Sequence, residues 1–240
     1  MLKILRILVL LVFVVVWFVV GLLICLARPR HKNNVFFLAR MLHWFCPLLG
    51  VKIHCKIPQE CYGLSSAVYV GNHQSNYDIL VMTGCVRPGV VSVGKKSLVW
   101  VPLFGLLYYL SGNILMDRVH RSKAVDTIRQ VVAKIKQRGI SVWMFPEGTR
   151  SRGRGLMQFK TGAFHTAIQA QVPLVPIICS SYADQIDLNR WNNGEIWLEM
   201  LPPVDSQQWD RHTVKACSDF IRQQMETKLA ELDQLAKKPS

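Results

Sequence analysis

Directly after the apolar run AVYV, the chain presents GNHQSNYD, residues 71–78, which sets the imidazole of His73 and the carboxylate of Asp78 five positions apart. Side chains that meet on a straight helix are three or four residues apart, so this spacing does not describe one helix face. A loop that turns into a helix can instead bring the carboxylate back onto one imidazole nitrogen. Such a contact fixes the tautomer, stabilises the imidazolium and leaves the other nitrogen free to remove a proton. With a reference pKa of about 6.5, an imidazole held this way suits general-base work near neutral pH. Ser75 is a poor nucleophile for it, because a serine two positions away is no mark of a triad and the chain has no G-x-S-x-G elbow. A hydroxyl on the substrate is the better proton source. No second histidine or cysteine stands at ligand spacing around His73, so no metal site is expected.

A second stretch, FPEGTRSRGRG, has the chemistry of an anion site. Pro146 and Gly148 make a turn after the apolar run SVWMF, and Thr149 and Arg150 offer a hydroxyl and a guanidinium fork from it. Arginine can hold a phosphate through two parallel hydrogen bonds, which lysine cannot. Arg152 and Arg154 are equally suited to a solvated turn. Arg118, in NILMDR, ends another apolar run and is a second clamp, with Asp117 as its orienting partner. Lys160, in FKTGAF, opens a predicted helix, where free backbone amides also attract anions. The segment GVVSVGKKS has the glycine spacing of a nucleotide-binding loop, but Lys96 stands where Ser or Thr should hold magnesium. Val90, Val91 and Val93 favour a strand there instead. Lys95 and Lys96 remain available to an anion.

Strands must carry these loops. AVYVGN, VVSVGK, GNILMD, SVWMFP, LVPIICS and EIWLEML read as strands, rich in Val, Ile and aromatic residues. Helical periodicity runs over 122–137, 161–171 and 211–237. Alternating strands and helices predict an α/β fold, a mixed, largely parallel sheet flanked by helices. Ligands of such sheets gather at the carboxyl ends of strands, where these polar motifs sit.

The run from Ile7 to Ala27 contains no charged residue. As a helix it would reach about 30 Å, the hydrocarbon thickness of a bilayer. It ends in CLARPRHK, without a small-x-small cleavage site, and reads as a retained anchor rather than a signal peptide. Basic residues flank both ends, so orientation is not set by charge. The stretch from Val35, interrupted by Arg40 and His43, reads as an interfacial partner helix. A net charge of +14 demands an anionic partner. No zinc-finger, basic-zipper or base-stacking pattern is present, so nucleic acid is not expected, and anionic lipid or a phosphorylated small molecule is. The seven cysteines form no C-x-x-C pair and fall largely in apolar runs, the usage of a reducing compartment.

In this order the motifs resemble the glycerophospholipid acyltransferase family, within it most nearly the bacterial 1-acyl-sn-glycerol-3-phosphate acyltransferases. The blocks are N-H-x-x-x-x-D at Asn72, His73 and Asp78; GNILMDR at Gly112 to Arg118; PEGTRS at Pro146 to Ser151; and VPLVPI at Val172 to Ile177. The resemblance implies a glycerol-3-phosphate acyltransferase-like fold, with membrane-anchoring helices in 1–50 and an acyltransferase domain in 51–240. It implies that His73, oriented by Asp78, deprotonates the 2-hydroxyl of a lysophosphatidate, which attacks the thioester of acyl-CoA or acyl carrier protein to give phosphatidate. Arg118, Glu147, Gly148, Thr149, Arg150 and Lys160 would hold the phosphate, and Asn72 or Lys95 would contact the oxyanion or donor. No cofactor or metal is implied, and the expected place is the cytoplasmic face of a bacterial inner membrane. Competing expectations are another acceptor, such as glycerol 3-phosphate or a different lysophospholipid, and a non-catalytic module that binds anionic lipid.

Overall fold

The computed structural model describes residues 1–116 and 124–237. Within them lies a seven-stranded sheet made of β1 (Lys52–Lys56), β2 (Val68–Gly71), β3 (Val90–Lys95), β4 (Ile114–Met116), β5 (Ser141–Met144), β6 (Leu174–Cys179) and β7 (Glu195–Met200). The order across the sheet is β1-β7-β6-β2-β5-β3-β4, and every neighbouring pair is parallel except β6 with β7. All six strands expected from apolar runs are present. β1 was not expected, because KIHCK is an edge strand whose charges face solvent and pair across to β7, Lys52 with Glu195 and Lys56 with Glu199, each at 3.1 Å. An edge without an apolar run leaves little pattern to read and is also protected from pairing with another chain.

The helices are α1 (Leu2–Ala27), α2 (Asn34–His43), α3 (Asp78–Val81), α4 (Phe104–Leu110), α5 (Ala124–Arg138), α6 (Gly162–Ala170) and α7 (Val214–Lys237). Strand alternation divides the core. Val68 and Val70 of β2 face one side with residues of α5, α6 and α7, while Tyr69 faces the other with Leu80 and Val81 of α3. A third cluster joins α1, α2 and α4 through Phe13, Trp17, Leu38 and Leu107.

α1 is long and apolar enough to cross a membrane by length and composition. One stripe of it, Arg6, Phe13, Trp17, Gly21 and Cys25, is nevertheless buried along the whole helix. Gly21 permits this contact: a Cβ there would lie 2.7 Å from Leu38 and 2.8 Å from Leu107. Both ends of α1 are tied to the α/β unit. At the start, the buried Arg6 guanidinium donates to the carbonyls of Leu188 (3.0 Å), Arg190 (2.6 Å) and Trp191 (3.3 Å). At the end, the Arg30 N–H donates to the Leu110 carbonyl at 3.1 Å, and the Arg30 carbonyl accepts from Arg138 at 2.7 Å.

Arg6→Ala removes the donor from three carbonyls at once. Leaving buried polar groups unpaired costs about 1–3 kcal/mol. The expected result is a lower thermal midpoint in detergent and faster proteolysis around Leu188–Trp191, read by limited digestion and mass spectrometry.

Candidate active site

β2 lies between β5 and β6, parallel to both, so the loops leaving the carboxyl ends of all three strands emerge side by side. The polar stretch after β2 runs through His73 and enters α3 at Asp78. That turn brings the carboxylate back to the ring: His73 Nδ1 and Asp78 Oδ2 are 2.5 Å apart. Nδ1 is thereby committed, and Nε2 is the ring nitrogen left to accept a proton. The imidazole also stacks on Phe145, with ring centroids 4.2 Å apart and planes inclined by 16°.

Asp78 is buried, and every donor around it is fixed. Oδ2 also accepts the backbone N–H groups of Gln74 (2.8 Å) and Ser75 (3.1 Å), while Oδ1 accepts the Tyr182 hydroxyl. Burial and the Asp78 charge push the Tyr182 phenol far above its ordinary value, so it acts as a donor. Gln74 clasps the same loop after β6, donating to the carbonyls of Cys179 and Ser180 and accepting the N–H of Tyr182. Asp233 of α7 in turn receives the N–H and hydroxyl of Ser181 at 2.6 and 2.8 Å.

The loop after β5 holds the histidine loop from the other side. Glu147, expected among the phosphate ligands, is buried and accepts the N–H of His73 through Oε1 (2.7 Å) and that of Met157 through Oε2 (3.2 Å). A carboxylate so enclosed is a brace between two loops and not a phosphate contact. Burial pushes its carboxyl above the ordinary glutamate value, against the two N–H groups and His73, which pull it down. Ser151 and Arg152 complete the brace, their N–H groups donating to the carbonyls of His73 (2.7 Å) and Gln74 (3.1 Å). Gly148 adopts φ +71°, and a Cβ there would lie 2.9 Å from Lys160 Nζ, so the exposed lysine rests over the turn.

His73 and Asp78 open onto a cavity of about 670 Å³ that also takes in Gly148, Thr149, Arg150 and Lys95. Its walls are mostly apolar and run to Trp17 of α1, Leu38 of α2 and Leu107 of α4. This size falls within the range of about 300–1,000 Å³ typical of small-molecule sites. Asn72 does not reach the cavity. Its amide is consumed by β6, donating to the Cys179 carbonyl and accepting the Cys179 N–H, both at 2.8 Å. Arg118 and Asp117 lie outside the described residues. Gln74 and Phe145 lie within the motif stretches beside His73 and Pro146, but their residue types announce no role, and Tyr182 lies outside every motif, so sequence reasoning gives no signal for it.

Residues 51–180, more than half of the chain, match the acyltransferase family model. The chain belongs to the acyltransferase family. This acyltransferase is 45% identical over 234 residues to the 1-acyl-sn-glycerol-3-phosphate acyltransferase of Haemophilus influenzae, with 98% of each chain covered. It is 46% identical over 233 residues to the enzyme of the same name from Escherichia coli, covering 97% of this chain and 95% of the other. The human 1-acyl-sn-glycerol-3-phosphate acyltransferase alpha is 33% identical over 216 residues, covering 89% of this chain and 76% of that one. In fold, the acyltransferase superposes on the crystal structure of the 1-acyl-sn-glycerophosphate (LPA) acyltransferase PlsC from Thermotoga maritima with a TM-score of 0.77. The identity is 20%, and 100% of this chain and 96% of that one are covered.

Tyr182→Phe removes the hydroxyl while keeping the ring, leaving Asp78 Oδ1 without its donor. The buried acceptor left unpaired costs about 1–3 kcal/mol. Urea denaturation should show that loss as a lower midpoint at an unchanged slope.

Proposed function

We propose that this acyltransferase moves an acyl chain from a thioester onto the 2-hydroxyl of 1-acyl-sn-glycerol 3-phosphate, making phosphatidate. The observation that carries this reading is the His73–Asp78 pair opening on a mostly apolar cavity that Thr149 and Arg150 also line. The names of the bacterial relatives support the acceptor. In the first step Nε2 of His73 takes the hydroxyl proton as the oxygen attacks the thioester carbonyl. The ring, now charged, is stabilised by Asp78. Collapse of the tetrahedral intermediate breaks the carbon–sulfur bond, and the departing thiolate recovers the proton from His73. Direct attack needs neither a covalent enzyme intermediate nor a cofactor.

Arg150 and Thr149 bind the acceptor phosphate, assisted by Lys160 beside Gly148 and by Arg118. Arg150 supplies the planar fork that matches phosphate geometry. The apolar depth of the cavity receives an acyl chain. The donor is acyl-CoA or acyl carrier protein, both acidic and suited to a chain of net charge +14. The enzyme works on the cytoplasmic face of a bacterial inner membrane. α1 lies within one leaflet, because a span would place its two ends about 30 Å apart across the hydrocarbon, yet Arg6 and Arg30 bind the same α/β unit.

His73→Ala should abolish acyl transfer, measured with purified enzyme, labelled donor and lysophosphatidate, while flotation with vesicles is unchanged. Turnover near the wild-type rate would refute the base assignment. Arg150→Ala should raise the KM for lysophosphatidate by about tenfold or more, as expected for a lost charge-assisted pair, and leave the KM for the donor within about twofold. Equal use of a matched acceptor without the phosphate by the wild-type enzyme would overturn the acceptor assignment.

A further inference from the structure

The segment that follows β3 is built unlike the rest of the α/β unit. Lys96–Trp100 forms a 3-10 turn in which no residue is buried. Trp100 is 84% exposed, and Val99, Val101 and Leu103 are exposed beside it. Lys95 and Lys96, also exposed, stand at the base of this apolar knuckle. Its shape is fixed. Leu103 holds φ +61° with ψ −54°, a positive-φ conformation unusual for leucine, in a tight turn closed by the Phe104 N–H on the Pro102 carbonyl (2.6 Å), and the chain re-enters α4 at once. Gly105 lets the turn lie hard against that helix, since a Cβ there would be 2.2 Å from the Val99 carbonyl oxygen. A tryptophan this exposed on a hydrogen-bonded turn is not explained by packing.

Two observations say what covers it. First, the turn lies beside α4, which packs against α1. Leu106 and Tyr109 of α4 are exposed next to the turn, and Arg30, just past the end of α1, lies 5.0 Å over the Tyr109 ring. From there the exposed face of α1 continues through Leu26, Leu23 and Val19. Second, the same segment has an inner side: Lys95, Leu98, Val101 and Phe104 line the cavity that holds His73. Tryptophan is enriched at the headgroup level of bilayers, and lysines nearby favour anionic lipid.

We propose that Lys95–Leu103 is a second membrane contact, a lip whose Trp100 enters the headgroup–acyl boundary of an anionic bilayer and seats the mouth of the cavity on it. This inference rests on the reading of the acceptor as a membrane lipid. α1 alone would hold the enzyme at the membrane but would leave the cavity mouth free to tilt into water. With the lip inserted, an acceptor reaches His73 without its chain crossing the aqueous phase.

The test uses full-length purified enzyme, wild type, Trp100→Glu and Trp100→Phe, with labelled acyl-CoA and, in a parallel arm, the same acyl chain on acyl carrier protein. Each receives long-chain lysophosphatidate in phosphatidylethanolamine–phosphatidylglycerol vesicles, and separately a short-chain lysophosphatidate that is monomeric in water. Trp100→Glu should lose about tenfold in kcat/KM on the vesicle-borne acceptor, a charge replacing an interfacial aromatic. It should stay within about twofold on the monomeric one, and Trp100→Phe should recover most of the vesicle rate. Equal vesicle rates for wild type and Trp100→Glu overturn the lip. So does an equal fall on both acceptors, which would make the segment part of the catalytic cavity. A fall seen only when the donor is acyl carrier protein would instead make it a protein-docking site. If the wild type acylates neither acceptor, the proposed function fails. The lip is then still decided by brominated lipid in the vesicles, which should quench more tryptophan fluorescence in the wild type than in Trp100→Phe, and equal quenching overturns it.

Discussion

The arrangement of the site depends on one buried carboxylate. Asp78 accepts His73 Nδ1 and the N–H groups of Gln74 and Ser75 on Oδ2 and the Tyr182 hydroxyl on Oδ1, so both oxygens are satisfied. A carboxylate taken from water without such partners would be costly enough to change its protonation or expel it from the core. Satisfying it requires the β2 loop to curl over the first turn of α3 and requires the β6 loop to present Tyr182. Only a central strand flanked by parallel neighbours makes both available. Glu147 reaches the same loop from the β5 side, so the imidazole is held by strands on either hand and stacked on Phe145. A group that must meet a reacting atom within tenths of an ångström is best carried on such over-determined backbone.

The second constraint is the conflict carried by α1. Its composition suits hydrocarbon, and its outward face is almost wholly apolar, far beyond the patch a water-facing monomer exposes. Its inward stripe nevertheless packs on α2 and α4, and its ends are tied to the α/β unit. A helix bound along one side by protein and open along the other is matched to an interface between two media. Because α1 and α2 also wall the cavity, through Trp17 and Leu38, the surface that meets lipid and the space that receives substrate share the same residues. Mounting and substrate access are therefore one structural problem.

Much of the site was legible because its chemistry is packed into contiguous stretches. His73 and Asp78 sit on one loop, as do Thr149 and Arg150, and the strands before them are plain apolar runs. Glu147 and Asn72 were placed by motif among groups meeting the ligand, and the fold turned both inward. Residue type alone does not tell a carboxylate that braces a backbone from one that faces solvent.

What the sequence determined by itself was the residue chemistry and the α/β alternation, since both follow from neighbours in the chain. Tertiary structure alone decided that Tyr182, 104 positions from Asp78, would complete its shell, and that Arg6 would meet the carbonyls of Leu188 to Trp191. Those contacts depend on β2 lying between β5 and β6 and on where a long helix folds back. Periodicity records which face of an element is apolar and says nothing of which element that face will meet.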